Sequence, residues 1–92
     1  MAKVIVTWKV MPESAESDLE AVKVVVKKTI EDFDGRINGE MTEEPVAFGL
    51  KFVKVSFAYD EEKGTTDSLE EELAKDDNIQ SVEVLSVGRA MG

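Results

Sequence analysis

The sequence predicts an α+β sandwich in which two helices cover one face of a four-stranded antiparallel sheet. Stretches near both ends and in the middle alternate apolar with polar residues, which is the period of a strand. Two other stretches repeat apolar residues every three or four positions, which is the period of a helix. Each helix has a single apolar stripe, so both must bury it against the same sheet.

The first strand and the first helix follow from these two periods. Residues 2–10 alternate, and residues 11–14 with their proline interrupt the strand. Residues 17–20, Ser-Asp-Leu-Glu, form a capping-box pattern for a helix start. Asp34 and Gly35 supply the stop, with Gly35 able to adopt a positive φ. The predicted buried face of this helix comprises Leu19, Val22, Val26, Ile30 and Phe33.

Three further strands are predicted. Residues 36–42 give a weak strand pattern with Gly39 as a bulge, and residues 43–46 end it. Residues 50–59 alternate most regularly and predict the third strand. Residues 79–87 predict the last strand, after which residues 88–92 are expected to form a tail.

The second helix lies between the third and fourth strands. Residues 60–64 predict an acidic turn, and Thr66 or Asp67 caps a short helix whose inner side carries Leu69 and Leu73. The order is then strand, helix, strand, strand, helix, strand. Right-handed crossovers select the ferredoxin-like split βαβ arrangement for this order. We expect residues 1–92 to form one domain.

Composition excludes several classes of function. A net charge of −9 argues against binding a phosphate backbone, which requires clustered Lys and Arg, and suits a partner with a basic patch. The chain has no Cys and no His, so it lacks a thiolate, the usual general base and the commonest transition-metal ligands. The acidic stretch 60–77 lacks the ligand pattern of a calcium loop and suits a solvated helix face and turn. No metal, cofactor or covalent catalytic residue is expected.

The first ten residues resemble neither a signal peptide nor a membrane span. Thr7 and Lys9 interrupt their apolar run, and a small-residue cleavage site is lacking. We therefore expect a cytoplasmic protein.

Two segments are unusual for the positions that they occupy. Residues 45–49 place Phe48 between a proline and a glycine, where loops are normally polar. Phe48 could cover the core or form part of a binding surface. Arg89 is the only basic residue after Lys75 and follows the predicted last strand. It could belong to a frayed terminus or to a functional tail.

Those two segments carry a resemblance to a known family. Residues 45–51, Pro-Val-Ala-Phe-Gly-Leu-Lys, closely resemble the Pro-Val/Ile-x-aromatic-Gly-Ile-Lys segment of elongation factor 1-beta. Residues 60–71 resemble the acidic turn and helix of that family, and residues 79–84 resemble its Val-Gln-Ser-x-Asp-Ile/Val strand. Residues 10–14 and 18–20 resemble the archaeal opening, so the form resembled is the archaeal one, which lacks the extra amino-terminal region of eukaryotic members.

The resemblance implies a guanine-nucleotide exchange factor for elongation factor 1-alpha, with a ferredoxin-like exchange domain. It implies that Arg89 stands where eukaryotic members carry a lysine that reaches the GTPase magnesium site. It also implies that Phe48 is the loop aromatic that contacts the GTPase. The partner-binding residues expected on this basis are Phe48, Arg89, Pro45, Gly49, Val87 and Met91.

An alternative function remains open from the residues alone. A ferredoxin-like fold also hosts binding or regulatory modules, which can self-associate through an open sheet face. Such a module would have no exchange activity.

Overall fold

The computed structural model describes residues 3–46 and 49–90, with the side chain of Ala90 left out. These residues form five strands, two helices and one short 3₁₀ turn, and the ferredoxin-like α+β class is confirmed. The elements are β1 (Lys3–Pro12), α1 (Leu19–Asp32), β2 (Arg36–Ile37), β3 (Thr42–Pro45), β4 (Lys51–Asp60), the 3₁₀ turn (Glu61–Lys63), α2 (Asp67–Ala74) and β5 (Ile79–Ala90).

The sheet is antiparallel, with β4 and β1 in the centre and β5 at one edge. β2 and β3 share the other edge, where both pair with β4. The single strand predicted over residues 36–42 is therefore wrong in extent. Gly39, with a φ of 80°, lies between the two short strands, and residues 43–45, predicted to end a strand, belong to β3. This division makes five strands of the four that were predicted.

The core lies between the sheet and the two helices. β1 and β4 contribute alternate side chains to it, and α1 contributes Val22, Val26 and Ile30 of the predicted stripe. Trp8 is the only tryptophan, is fully buried, and packs edge-on against Phe57 with ring centroids 4.6 Å apart. The predicted helical stripe and the alternation of both central strands are thus confirmed.

The ends of α1 differ from the prediction in two details. The N-cap is Asp18, whose carboxylate accepts from the backbone N–H groups of Glu20 and Ala21, so the capping box beginning at Ser17 is wrong. The positive φ after the helix belongs to Asp34, at 60°, and not to Gly35. Gly35 is required for a different reason, because a Cβ there would lie 2.8 Å from Ile30 Cγ2.

The prediction that residues 88–92 trail off as a tail is wrong for the described part of that segment. β5 continues to Ala90 and pairs with β1 as far as Lys3. Two register shifts occur along this pair, one between Thr7 and Trp8 and one between Met11 and Pro12. At the first shift Leu85 is the additional residue, as in a β-bulge.

Across the described ranges, neither helix is long and apolar enough to cross a membrane.

Candidate protein-interaction site

Arg89 lies near the carboxyl end of the edge strand β5. It is directly opposite Val4 of β1, which in turn is opposite Tyr59 of β4. Its side chain is 75% exposed, and Nη2 forms an ion pair with Glu61 Oε2 at 3.3 Å. A cation is therefore held at the surface by one carboxylate of the 3₁₀ turn.

Apolar side chains precede this cation on β5. Val84, Val87 and Arg89 lie opposite Trp8, Val6 and Val4, the residues that β1 directs towards the helices. Ile79 at the start of β5 is buried, whereas Val84 is 37% exposed and Val87 is 64% exposed. The helix side of β5 therefore becomes uncovered along its length, which leaves Val87 exposed beside Arg89 and Val84 partly exposed further back.

The turn that carries Glu61 is fixed to the rest of the fold. Asp60 Oδ1 accepts from the backbone N–H of Glu62 at 3.0 Å, which caps the 3₁₀ turn. The Tyr59 hydroxyl donates to the Gly64 carbonyl at 2.8 Å, and Lys63 Nζ lies 3.2 Å from Asp34 Oδ2. Glu61 thus stands on a turn that has its own cap, a hydrogen bond from the last part of β4 and an ion pair to Asp34.

Of the side chains that hold this turn, that of Tyr59 is buried. Burial, followed by the nearby carboxylates of Asp67 and Glu70, raises the pKa of Tyr59 above its usual value of 10.0. Burial and the two carboxylates all disfavour the charged phenolate, so the hydroxyl remains protonated and donates to Gly64 at neutral pH.

The loop predicted to contact a partner leaves the sheet at the opposite end. Pro45 ends β3 opposite Lys51, the first residue of β4, and the Val46 N–H donates to the Leu50 carbonyl at 2.8 Å. Gly49 has a φ of 77°, a backbone conformation that residues with a side chain rarely adopt. Two predicted site residues, Phe48 and Met91, lie outside the described residues.

The predicted site residues therefore form two groups instead of one. Val87 and Arg89 lie level with the last residues of β4, whereas Pro45 is opposite its first residue and Gly49 precedes that residue by two positions. Tyr59 lies eight positions after Lys51 in β4, which corresponds to roughly 25 Å of strand. This separation depends on long-range strand register and was not predicted from the sequence.

Glu61 is the site residue that the sequence analysis missed. It belongs to the acidic stretch that was interpreted as a solvated surface, and no local pattern distinguishes it from Glu62. Within residues 3–46 and 49–90, no group of three or more acidic side chains is arranged to hold a metal ion.

Comparison with known proteins identifies the family. The family model described as "EF-1 guanine nucleotide exchange domain" matches residues 5–90. The elongation factor 1-beta of Methanosphaera stadtmanae is 48% identical over 91 residues, covering 99% of this chain and 100% of the relative. That of Methanococcus maripaludis is 39% identical over 87 residues, covering 95% and 97%.

A solved structure shares the fold without close sequence similarity. The C-terminal domain of the MgtC protein from Mycobacterium tuberculosis superimposes with a TM-score of 0.66 and 13% identity, covering 94% of this chain and 87% of that one. It supports the architecture alone. The match over residues 5–90 and the archaeal relatives show that the chain belongs to the elongation factor 1-beta family of translation elongation factors.

Proposed function

We propose that this chain promotes the exchange of GDP for GTP on elongation factor 1-alpha. The observation that carries the proposal is Arg89, a 75% exposed cation beside the exposed Val87, at the end of an edge strand in a chain of this family. We expect the action to take place in the cytoplasm, and the acidic net charge of −9 suits a partner with a basic surface.

The proposed mechanism needs electrostatics and wedging but no bond making. GDP on a GTPase is held by Mg²⁺ and by backbone N–H groups around its phosphates. A guanidinium that enters the metal site competes with Mg²⁺, and apolar side chains next to it hold the phosphate loops apart. Accelerating release ~1,000-fold requires lowering the barrier by about 4 kcal/mol. No catalytic acid, base or nucleophile of this chain takes part.

The carboxyl-terminal group is the part proposed to act at the metal and phosphates. Arg89 supplies the cation, and Val87, with Met91 on the other side in sequence, supplies apolar contact. Arginine presents a planar fork of donors, which suits oxygen pairs on phosphates or carboxylates better than a point charge does.

The aromatic loop is proposed to contact the GTPase at a second place. Pro45 and Gly49, which flank Phe48, lie at the far end of β4 from Arg89, roughly 25 Å away by strand length. A metal and diphosphate site is much smaller than that distance. We therefore propose that the Phe48 loop binds a separate surface of the GTPase and orients the molecule while Arg89 acts at the nucleotide.

The test is the release of fluorescent GDP from elongation factor 1-alpha at fixed Mg²⁺, with the wild-type chain and two arginine variants. We expect Arg89→Ala to lower kcat/KM for release at least tenfold without lowering the melting temperature. Arg36→Ala is the matched control, because Arg36 is the only other arginine and lies on β2 at the opposite edge. Equal activities of the two variants would contradict the assigned role of Arg89.

The GDP-release measurement also separates this proposal from the alternative of a module without exchange activity. Such a module would bind its partner without accelerating the release of GDP. Acceleration by the wild-type chain excludes that alternative.

A further inference from the structure

We propose that Glu61 restrains Arg89, and that the guanidinium must leave this carboxylate before it can act on the GTPase. The inference rests on the proposed exchange function and deepens it by assigning control of Arg89 to Glu61. It starts from the 3.3 Å ion pair between Arg89 Nη2 and Glu61 Oε2.

The positions of the two residues in the sheet show where the ion pair holds the guanidinium of Arg89. Arg89 belongs to β5, whereas Glu61 directly follows β4, and β1 lies between these strands. Strands two places apart in a sheet are separated by roughly 10 Å. The two side chains can meet only by bridging the end of β1, so the guanidinium lies over this molecule's own surface. It does not project beyond the β5 edge.

The backbone that carries Glu61 is held in place, and Arg89 is the more exposed member of the pair. Glu61 lies on the 3₁₀ turn, which Asp60 caps and which Tyr59 and Lys63 connect to the rest of the fold. The Arg89 side chain is 75% exposed, compared with 38% for that of Glu61. Release of Arg89 therefore requires the loss of one exposed ion pair and no rearrangement of the fold.

The chemistry sets the kind of group that can take Arg89 away from Glu61. A single exposed carboxylate binds a guanidinium weakly. A diphosphate, or a cluster of oxygens that has been holding Mg²⁺, carries more negative charge and accepts bidentate hydrogen bonds. Glu61 thus keeps Arg89 from weaker anions and yields it to a metal–phosphate site.

The experiment compares Glu61→Gln with Glu62→Gln in the GDP-release assay at low salt. Each variant removes one negative charge from the same turn, but within the described residues Glu62 forms no ion pair. We expect Glu61→Gln to raise kcat/KM about two- to fivefold, the range for the loss of one exposed pair, and Glu62→Gln to leave it nearly unchanged. Because salt screens exposed pairs, the ratio of Glu61→Gln to wild type should approach one as ionic strength rises.

The Arg89→Ala background provides the internal check. Glu61→Gln should have no effect there, since there is no guanidinium left to restrain. A second readout needs no GTPase: the side-chain Nε–H resonance of Arg89 should shift in Glu61→Gln and remain in place in Glu62→Gln.

The outcomes separate the two proposals. If the wild-type chain releases GDP but Glu61→Gln is no faster than Glu62→Gln, or is slower than wild type, the restraint is refuted and the exchange function stands. An unchanged Arg89 resonance in Glu61→Gln also refutes the restraint. If the wild-type chain does not accelerate release at all, the exchange function fails and the restraint fails with it.

Discussion

Tyr59 illustrates how a single buried hydroxyl supports the turn that presents Glu61. It is the only tyrosine in the chain, its hydroxyl donates to the Gly64 carbonyl at 2.8 Å, and its pKa is raised by burial and by Asp67 and Glu70. Tyr59→Phe should lower the free energy of unfolding by about 0.5–1.5 kcal/mol at neutral pH, which Trp8 fluorescence in urea can measure.

The same residue predicts an alkaline loss of stability. Between the usual pKa near 10 and the raised pKa of Tyr59, the unfolded chain loses the phenolic proton while the folded chain keeps it. The folded state then binds more protons, so stability falls as pH rises through this window. Absorbance titration should place the phenolate midpoint above 10. A midpoint at or below that of free tyrosine would contradict the buried environment.

The close packing around Gly35 leaves no room for a side chain at this position. A Cβ there would lie 2.8 Å from Ile30 Cγ2 and 3.1 Å from the Ile30 carbonyl oxygen. We expect Gly35→Ala to lower the free energy of unfolding by about 1–3 kcal/mol. Gly88→Ala is the control, since no atom lies within 4 Å of its added Cβ. Equal stabilities of the two variants would show that the packing at Gly35 is looser than described.

At the level of elements, an ion pair attaches the edge strand β3 to α1. Lys23 Nζ lies 2.6 Å from Glu43 Oε2. The hydrogen bond between them is the main cause that lowers the pKa of Glu43 and raises the pKa of Lys23. The pair therefore connects the strand that leads into the Phe48 loop with the helix on the core.

This pair predicts a pH dependence with a defined sign. Because the folded-state pKa of Glu43 is below its usual 4.5, its contribution to stability is present above pH 4.5 and is lost as pH falls through the folded-state pKa. Glu43→Gln should melt at a lower temperature than wild type at pH 7, and the difference should disappear in acid. Glu40→Gln, which removes a nearby exposed acid without an ion pair among the described residues, should show no such convergence.

The elements also show what could be predicted from the sequence and what could not. β1, β4 and α1 have regular apolar periods, so their presence, type and buried faces were predictable. The end of β5 was missed because Gly88 and Ala90 are weak strand formers. The predicted helix cap was one residue too early, because Ser17 and Asp18 are adjacent and both are good N-caps.

At the level of the whole molecule, the candidate site was predictable as residues but not as an arrangement. Arg89 and residues 45–49 were noticeable by composition alone. Their placement at opposite ends of β4, and the pairing of Arg89 with Glu61, depend on contacts between residues distant in sequence. Local patterns carry no information on such contacts.

The separation of the two groups predicts how their variants combine. Sites more than 7–10 Å apart that share no contacts usually have additive effects. If Arg89 and Phe48 contact the GTPase independently, Arg89→Ala and Phe48→Ala together should reduce RT ln(kcat/KM) for GDP release by the sum of the single effects, within about 0.5 kcal/mol. A double variant no slower than the slower single variant would show that the two groups act as one site.

The most direct measurement is the release of fluorescent GDP from elongation factor 1-alpha by a tenfold smaller amount of this chain, at fixed Mg²⁺ and in excess GTP. The proposed function predicts that each molecule releases many nucleotides, so that release goes to completion at an accelerated rate. Folding of the sample is verified through the buried Trp8. Release at the intrinsic rate of the GTPase, with the chain folded, would contradict the exchange function.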